Sequence, residues 1–209
     1  MVTPPAAPRP DERAGKDEWR RWALDCRRAR SAAEIADARA AITDHLLRWP
    51  PLASATTVCT YLPLRTEPLG ADLSEALHRQ GRQVLVPVTV LDQPLRWAQY
   101  RPDGDRPLGV GRVPDPGPAL LPAEQHQALL RVSLVLVPAL LVAWDGTRLG
   151  RGGGHYDRSF ARTALGSAAV RMTVVFDDEL VDTLPDDPHD IRVTALVSPL
   201  AGVRMLPLR

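Results

Sequence analysis

The chain has 209 residues, enough to bury one sizeable core, so a single domain is expected. Its 26 basic and 25 acidic side chains nearly cancel, leaving +1, which gives no electrostatic case for nucleic acid or an anionic membrane. No apolar run approaches the length of a membrane span, and two cysteines are too few for a disulfide framework or a metal cluster.

The first ten residues, Met1 to Pro10, are rich in Pro and Ala and lack the apolar core of a signal peptide. They read as a disordered lead-in to one domain over residues 11–209. Trp19, Trp22, Ala23 and Cys26 recur at helical spacing, which predicts an amphipathic helix from about Pro10 to Arg30. Ser31-Ala-Ala-Glu34 is a capping-box pattern and opens a second helix. Its apolar face is Ile35, Ala38, Ile42, His45, Leu46 and Trp49, and Pro50-Pro51 ends it. Thr57 to Leu62 reads as a strand, and Leu69, Leu73, Ala76 and Leu77 mark a helix that stops near Gly81.

Gln83 to Val88 and Leu95 to Tyr100 read as strands, with Trp97 and Tyr100 suited to core packing or an apolar pocket. Arg101 to Pro122 is dominated by Pro and Gly and predicts an irregular excursion. Leu134 to Val137 is the expected central strand. A helix follows from about Tyr156 to Leu165, then strands at Val170 to Phe176 and Ile191 to Val197. Strands alternating with helices predict an α/β three-layer sandwich with a largely parallel sheet. Apolar runs without strict alternation, such as Val135 to Val137, suit a sheet covered on both faces. Cys26 on a helical stripe and Cys59 in a strand read as small buried hydrophobes, in keeping with a reducing cytoplasm.

The segment Arg148-Leu-Gly-Arg-Gly-Gly-Gly-His-Tyr-Asp-Arg158 concentrates the chemistry. It holds four glycines and three arginines beside Tyr156 and Asp157, between an apolar strand and a helix start. Glycines let the backbone approach an anion, and successive N–H groups at a helix N-terminus make an anion concavity. The Walker pattern is absent, because no Lys-Ser/Thr pair closes the loop. A dinucleotide-binding loop would sit directly after the first strand, whereas these glycines come late. A flexible connector is the plain alternative, since loops are often glycine-rich without function.

These residues resemble the 5-formyltetrahydrofolate cyclo-ligase family, also called methenyltetrahydrofolate synthetases. The family pattern is a strand ending in Val-Pro-Gly, then Phe-Asp-x-x-Gly-x-Arg-Leu-Gly-x-Gly-x-Gly-Tyr-Tyr-Asp. This chain has Val137-Pro138-Ala139, then Trp144-Asp145-Gly146, then the block from Arg148 to Asp157. It departs at Ala139, in a shortened linker around Trp144-Asp145, and at His155, where the family has tyrosine. Lys16 to Arg20, Tyr61 to Glu67, Val113 to Pro116 (with Asp115 replacing glutamate), Leu184-Pro185 and His189-Asp190 are weaker echoes in family order. Pro68 to Ala71 lacks the usual Val-Asp-Thr.

The resemblance implies that ATP and 5-formyltetrahydrofolate give 5,10-methenyltetrahydrofolate, ADP and phosphate through a phosphorylated formyl group. It implies that the backbone of Gly150, Gly152, Gly153 and Gly154 cradles the triphosphate, aided by Lys16, Arg20, Arg151 and His155. Arg148 would stabilise the transferring group, Tyr156 would lie against the substrate, and Glu67 would hold the pterin or formyl end. Asp157 and Asp190 would hold Mg²⁺. It further implies a cytoplasmic monomer whose partners are reduced folate and ATP, with no nucleic acid and no membrane. A diverged, non-catalytic nucleotide-binding relative and a sugar-phosphate isomerase or CoA-transferase-like enzyme are the alternatives. Plain roles also stand beside the implied ones: a surface ion pair for Arg148, a helix cap for Asp157, a buried tyrosine for Tyr156.

Overall fold

The computed structural model describes residues 8–11, 13–89, 93–102, 132–162 and 169–207. Most of the lead-in, nearly all of the Pro- and Gly-rich excursion, the Val113 to Pro116 echo and the expected helix end at Leu165 lie outside the described residues.

Helix α1 (Lys16–Ala29) buries Trp19, Trp22, Ala23 and Cys26, the stripe expected from their spacing. It starts later than Pro10, because Gly15 is its N-cap and has extended backbone. Helix α2 (Ala32–Arg48) opens with the expected capping box. Glu34 N–H donates to Ser31 Oγ at 3.2 Å, and Ser31 N–H donates to a Glu34 carboxylate oxygen at 2.8 Å. Pro50-Pro51 stop α2 as expected, then start a short helix α3 (Pro50–Ala53). Proline is tolerated in a first turn, where its missing N–H would have no helical partner.

After β1 (Thr57–Cys59) come α4 (Asp72–Arg79), β2 (Gln83–Val88), β3 (Arg96–Gln99) and β4 (Leu134–Pro138). Then come β5 (Leu141–Ala143), β6 (Arg148–Leu149), α5 (His155–Arg162), β7 (Val170–Val174), a 3₁₀ turn (Asp177–Glu179), β8 (Leu180–Val181), β9 (Ala195–Ser198) and β10 (Gly202–Met205). Seven strands form one sheet in the order β10-β9-β7-β4-β1-β2-β3. The inner pairs β2–β1, β1–β4, β4–β7 and β7–β9 are parallel, and only β3 and β10 at the edges run antiparallel.

Residues of the central strand alternate between two cores. Leu134 and Leu136 pack with Ile42 and Leu46 of α2 and with Leu73 and Leu77 of α4. Val135 and Val137 pack on the other face with Tyr156, which α5 carries. This is the expected α/β single-domain sandwich with a largely parallel sheet covered on both faces.

The central strand expected at Leu134 to Val137 is β4, and the rest of the apolar run forms β5, which pairs with β6 and β8 in a separate three-stranded sheet. α1 covers that small sheet, packing Trp19, Trp22, Ala23 and Cys26 with Leu140, Leu141, Ala143, Leu149 and Val181. The strand expected from Ile191 begins only at Ala195. The preceding residues bond elsewhere: Val193 N–H donates to Gly146 O at 2.9 Å, and Arg192 pairs with Asp145. Among the described residues, no helix is long and apolar enough to cross a membrane.

The bonds of the capping box are exposed, so its loss should act mainly on stability. Ser31→Ala should destabilise by about 1 kcal/mol. Urea unfolding should show a lower midpoint at unchanged slope.

Candidate functional site

The chain winds from β1 to β2 and β3 on one side and from β4 to β7 and β9 on the other. The strand order therefore reverses between β1 and β4. Crossovers leave in opposite directions there, so the carboxyl ends of these two strands border a crevice, the usual ligand position in open α/β sheets. Glu67 lies on the loop after β1. The glycine loop follows the β5–β6 hairpin, which itself follows β4. Helix α1 brings Lys16 and Arg20 to the same place.

The loop owes its path to glycine. Gly152 has φ +97° and Gly154 has φ +61°, the left-handed region that side chains disfavour. Arg20 lies against the loop, its Nε donating to Gly150 O at 3.1 Å, and a Cβ at Gly152 would stand 3.5 Å from its Cζ. Arg158 Nη2 donates to Gly153 O at 2.8 Å and lies 3.2 Å from His155 Nδ1, so His155 is held in the loop wall.

Arg148 spans the base of the loop. Its Nη2 donates to Asp157 Oδ1 at 2.5 Å, and Ile191 N–H donates to the same oxygen at 3.1 Å. The Arg148 Nε is buried with no partner. Tyr156 points into the sheet core, where its hydroxyl is also buried and unpartnered. Burial, then the nearby Cys59, push its phenol well above the ordinary range, while Arg148 opposes them. Tyr156 is therefore a neutral hydroxyl at any working pH.

Glu67 is buried, although it is a carboxylate on a loop. Leu64 N–H donates to its Oε2 at 2.9 Å, and Arg151 Nε from the glycine loop stands 3.8 Å from its Oε1. Arg39 of α2 fixes the loop by donating to the carbonyls of Leu64, Arg65 and Glu67. Two residues 84 positions apart in sequence, Glu67 and Arg151, thus face each other across the crevice.

Lys16 Nζ bonds Asp190 at 2.5 Å and Asp187 at 2.6 Å. Burial lowers the Lys16 pKa, but the bonds and charges of the two aspartates outweigh it and the net shift is upward. Burial likewise raises Asp190, and Lys16 with the Asp187 N–H outweighs it, so Asp190 lies below the usual carboxylate range. Asp157 and Asp190, the expected metal pair, are each engaged by a cation of the chain. The ligand atoms of Asp187, His189 and Asp190 lie within 4.8 Å of one another, and Asp157 is outside that group. Trp97 and Tyr100 are buried in the two sheet cores.

A model of the 5-formyltetrahydrofolate cyclo-ligase family matches residues 12–199. The chain belongs to this family. It is 39% identical over 155 residues to the 5-formyltetrahydrofolate cyclo-ligase of Mycolicibacterium smegmatis, covering 72% of this chain and 77% of that one. It is 30% identical over 158 residues to the enzyme of the same name from Escherichia coli K12, covering 74% and 84% respectively. Two solved structures share the fold. A 5,10-methenyltetrahydrofolate synthetase from Aquifex aeolicus superposes with a TM-score of 0.71 at 22% identity, covering 91% of this chain and 92% of that one. One from Mycoplasma pneumoniae gives 0.66 at 19% identity, covering 89% and 99%. The cyclo-ligase match spans α1, Glu67, the glycine loop and Asp190 together.

Sequence reading missed Asp187, Arg39 and the buried pair Arg27–Glu179. Asp187 sits in an acidic stretch that looks like any solvated loop. Arg39 is one arginine among many. Arg27 did carry a signal: it lies four residues after Ala23, on the buried stripe of α1.

The shifts at Lys16 and Asp190 set a pH window. A depressed Asp190 contributes stability above the ordinary aspartate value of about 3.9, lost as pH falls through its lower folded value. A raised Lys16 contributes below the ordinary lysine value of about 10.4, lost as pH rises through its higher folded value. Asp190→Asn should lower Tm by about 2 °C at neutral pH, as expected of a partly exposed pair. The gap from the unsubstituted protein should close as pH falls through the lowered folded value of Asp190, where the aspartate is protonated in both states; a gap that persists there would mean the pair's charge is irrelevant.

Proposed function

We propose that the chain is an ATP-dependent 5-formyltetrahydrofolate cyclo-ligase that forms 5,10-methenyltetrahydrofolate. The observation that carries this reading is the meeting of Glu67 with the glycine loop at the strand-order reversal. A phosphate-binding loop and a buried carboxylate there face one crevice, as a reaction between a nucleotide and a nitrogen-rich ring requires. Family membership supplies the substrate class.

The reaction needs a poor leaving group made good. The formyl oxygen attacks the γ-phosphorus and the bond to ADP breaks. The neighbouring folate nitrogen then attacks the formyl carbon and loses its proton, and the C–O bond breaks to release phosphate. Catalysis of this kind is mostly positioning and charge stabilisation.

On this reading the N–H groups of Gly150 to Gly154 and the side chains of Lys16 and Arg20 bind the phosphates. Arg151 and His155 form the loop wall on the nucleotide side. Arg148 stabilises charge on the transferring group, and its unpartnered buried Nε is a donor that a phosphate oxygen would satisfy. Tyr156 forms part of the apolar wall behind the folate and offers its hydroxyl as a neutral donor. Glu67 accepts from N–H groups of the pterin. Mg²⁺ would neutralise triphosphate charge, held by Asp157 and Asp190. Both carboxylates already face a cation in this fold, Arg148 and Lys16, so both occupy positions suited to positive charge. Two buried thiols fit a reducing cytoplasm as the place of action, with the enzyme working as a monomer.

A direct assay tests this. Protein, Mg²⁺, ATP and 5-formyltetrahydrofolate should give the methenyl product by absorbance, and omission of ATP should abolish it. Arg148→Lys should lower kcat by about 10²-fold, the usual cost of losing one donor to developing charge. Glu67→Gln should raise the folate KM by at least about tenfold with less effect on the ATP KM, as loss of a charge-assisted bond does. ATP binding without folate-dependent turnover would overturn the reading.

A further inference from the structure

The connection from β1 to α4 carries the buried Glu67 carboxylate on an irregular turn. Two bonds close that turn on itself. Glu67 N–H donates to Leu64 O at 3.0 Å, and Leu64 N–H donates to Glu67 Oε2 at 2.9 Å. The carboxylate is therefore oriented by the backbone of its own turn. Its other oxygen, Oε1, stands 3.8 Å from Arg151 Nε, too far for a firm hydrogen bond. Oε1 is thus the oxygen that can accept from a substrate N–H.

The path of the turn is set from outside it. Tyr61 before the turn and Leu69 after it are anchored in one core with Ile42 of α2, but Arg65 at the apex is exposed. What grips the apex is a single side chain. Arg39 of α2 donates from Nε to Glu67 O at 3.1 Å, and from Nη2 to Leu64 O at 3.1 Å and Arg65 O at 3.0 Å. Three carbonyls within four consecutive residues converge on one guanidinium. Two of them belong to Leu64 and Glu67, the residues that fix the carboxylate. The helix is a firm base for this grip, because Ala38 beside Arg39 and Ile42 one turn on are both buried. Nε and Nη2 of the planar fork serve separate carbonyls at once, which the compact ammonium of a lysine cannot reproduce.

We propose that Arg39 is a positioning residue: its fork holds the Leu64–Glu67 turn so that the Glu67 carboxylate is presented to the reduced folate. This role rests on the cyclo-ligase reading, in which Glu67 accepts from the pterin, and adds a residue of α2 that acts through the turn and not on substrate. Two rival roles forecast otherwise. If Arg39 only fastened α2 to the connection, its loss would lower Tm and leave both KM values alone. If its charge drew the substrate directly, lysine would replace it, and its effect would add to that of Glu67.

Kinetics on the full chain decide, with the fold of each variant verified by circular dichroism. Arg39→Gln should raise the folate KM about tenfold while the ATP KM stays within about twofold. Arg39→Lys keeps the charge and loses the fork, so the folate KM should still rise about fivefold. Added to Glu67→Gln, either substitution should raise the folate KM by less than about twofold, because Arg39 acts through a charge that is no longer there. If Arg39→Gln fails to fold, the lysine variant carries the same cycle and the same forecast. An unchanged folate KM, full rescue by lysine, additivity with Glu67→Gln, or an equal shift in the ATP KM would overturn the role of Arg39 alone. A folate KM untouched by Glu67→Gln itself would remove the assignment of Glu67 and this role with it. Absence of product from the unsubstituted protein would remove the cyclo-ligase reading beneath both.

Discussion

The parallel pairing of β1 with β4 is the contact on which the site depends. Each strand needs a crossover to reach its next neighbour, and right-handed crossovers on opposite sides of this pair lie on opposite faces. α4 packs on one face and α5 on the other, so neither covers the strand ends between them. The crevice is a product of topology before any side chain enters it. What the side chains add is a ring of cations and carboxylates: Glu67 after β1, the glycine loop beyond β4, and α1 across the top.

The electrostatics of that ring are hidden in the overall charge, which is close to zero. Locally, Lys16 meets two aspartates, Arg148 meets Asp157, Arg151 faces Glu67, and Arg27 meets Glu179. A partly buried cation without a counter-charge would be expensive to keep. Paired, it is kept at lower cost. Lys16 likewise holds Asp190 below the usual carboxylate range despite its partial burial.

Much of the architecture was legible from the residues. The capping box at Ser31 and Glu34, the Trp19–Cys26 stripe and the strand Gln83–Val88 each follow from local rules that the fold does not override. The glycine loop was legible for the same reason: positive φ is written into the identity of Gly152 and Gly154. What was not legible depends on long-range pairing. The run from Leu134 to Ala143 gives no local sign of changing sheets at Ala139, because both halves are apolar and buried. Ile191 to Val193 looks like strand, yet its N–H groups are claimed by Asp157 and the Gly146 carbonyl. Arg27 was passed over because a single arginine on an apolar stripe gains meaning only when Glu179, 152 residues away, is seen beside it.

Helix α1 has a temporal consequence. It is made early in synthesis, yet nearly everything that holds it comes late: Leu149 and Val181 beneath it, Glu179 on Arg27, and Asp190, 174 residues beyond Lys16. During translation the helix must wait with Trp19 and Trp22 uncovered while the main sheet assembles. Contacts of such sequence separation form slowly, since loop-closure entropy precedes any reward. Docking of α1 is therefore a late step, and a nascent chain halted before Glu179 carries the glycine loop without Lys16 and Arg20 fixed beside it.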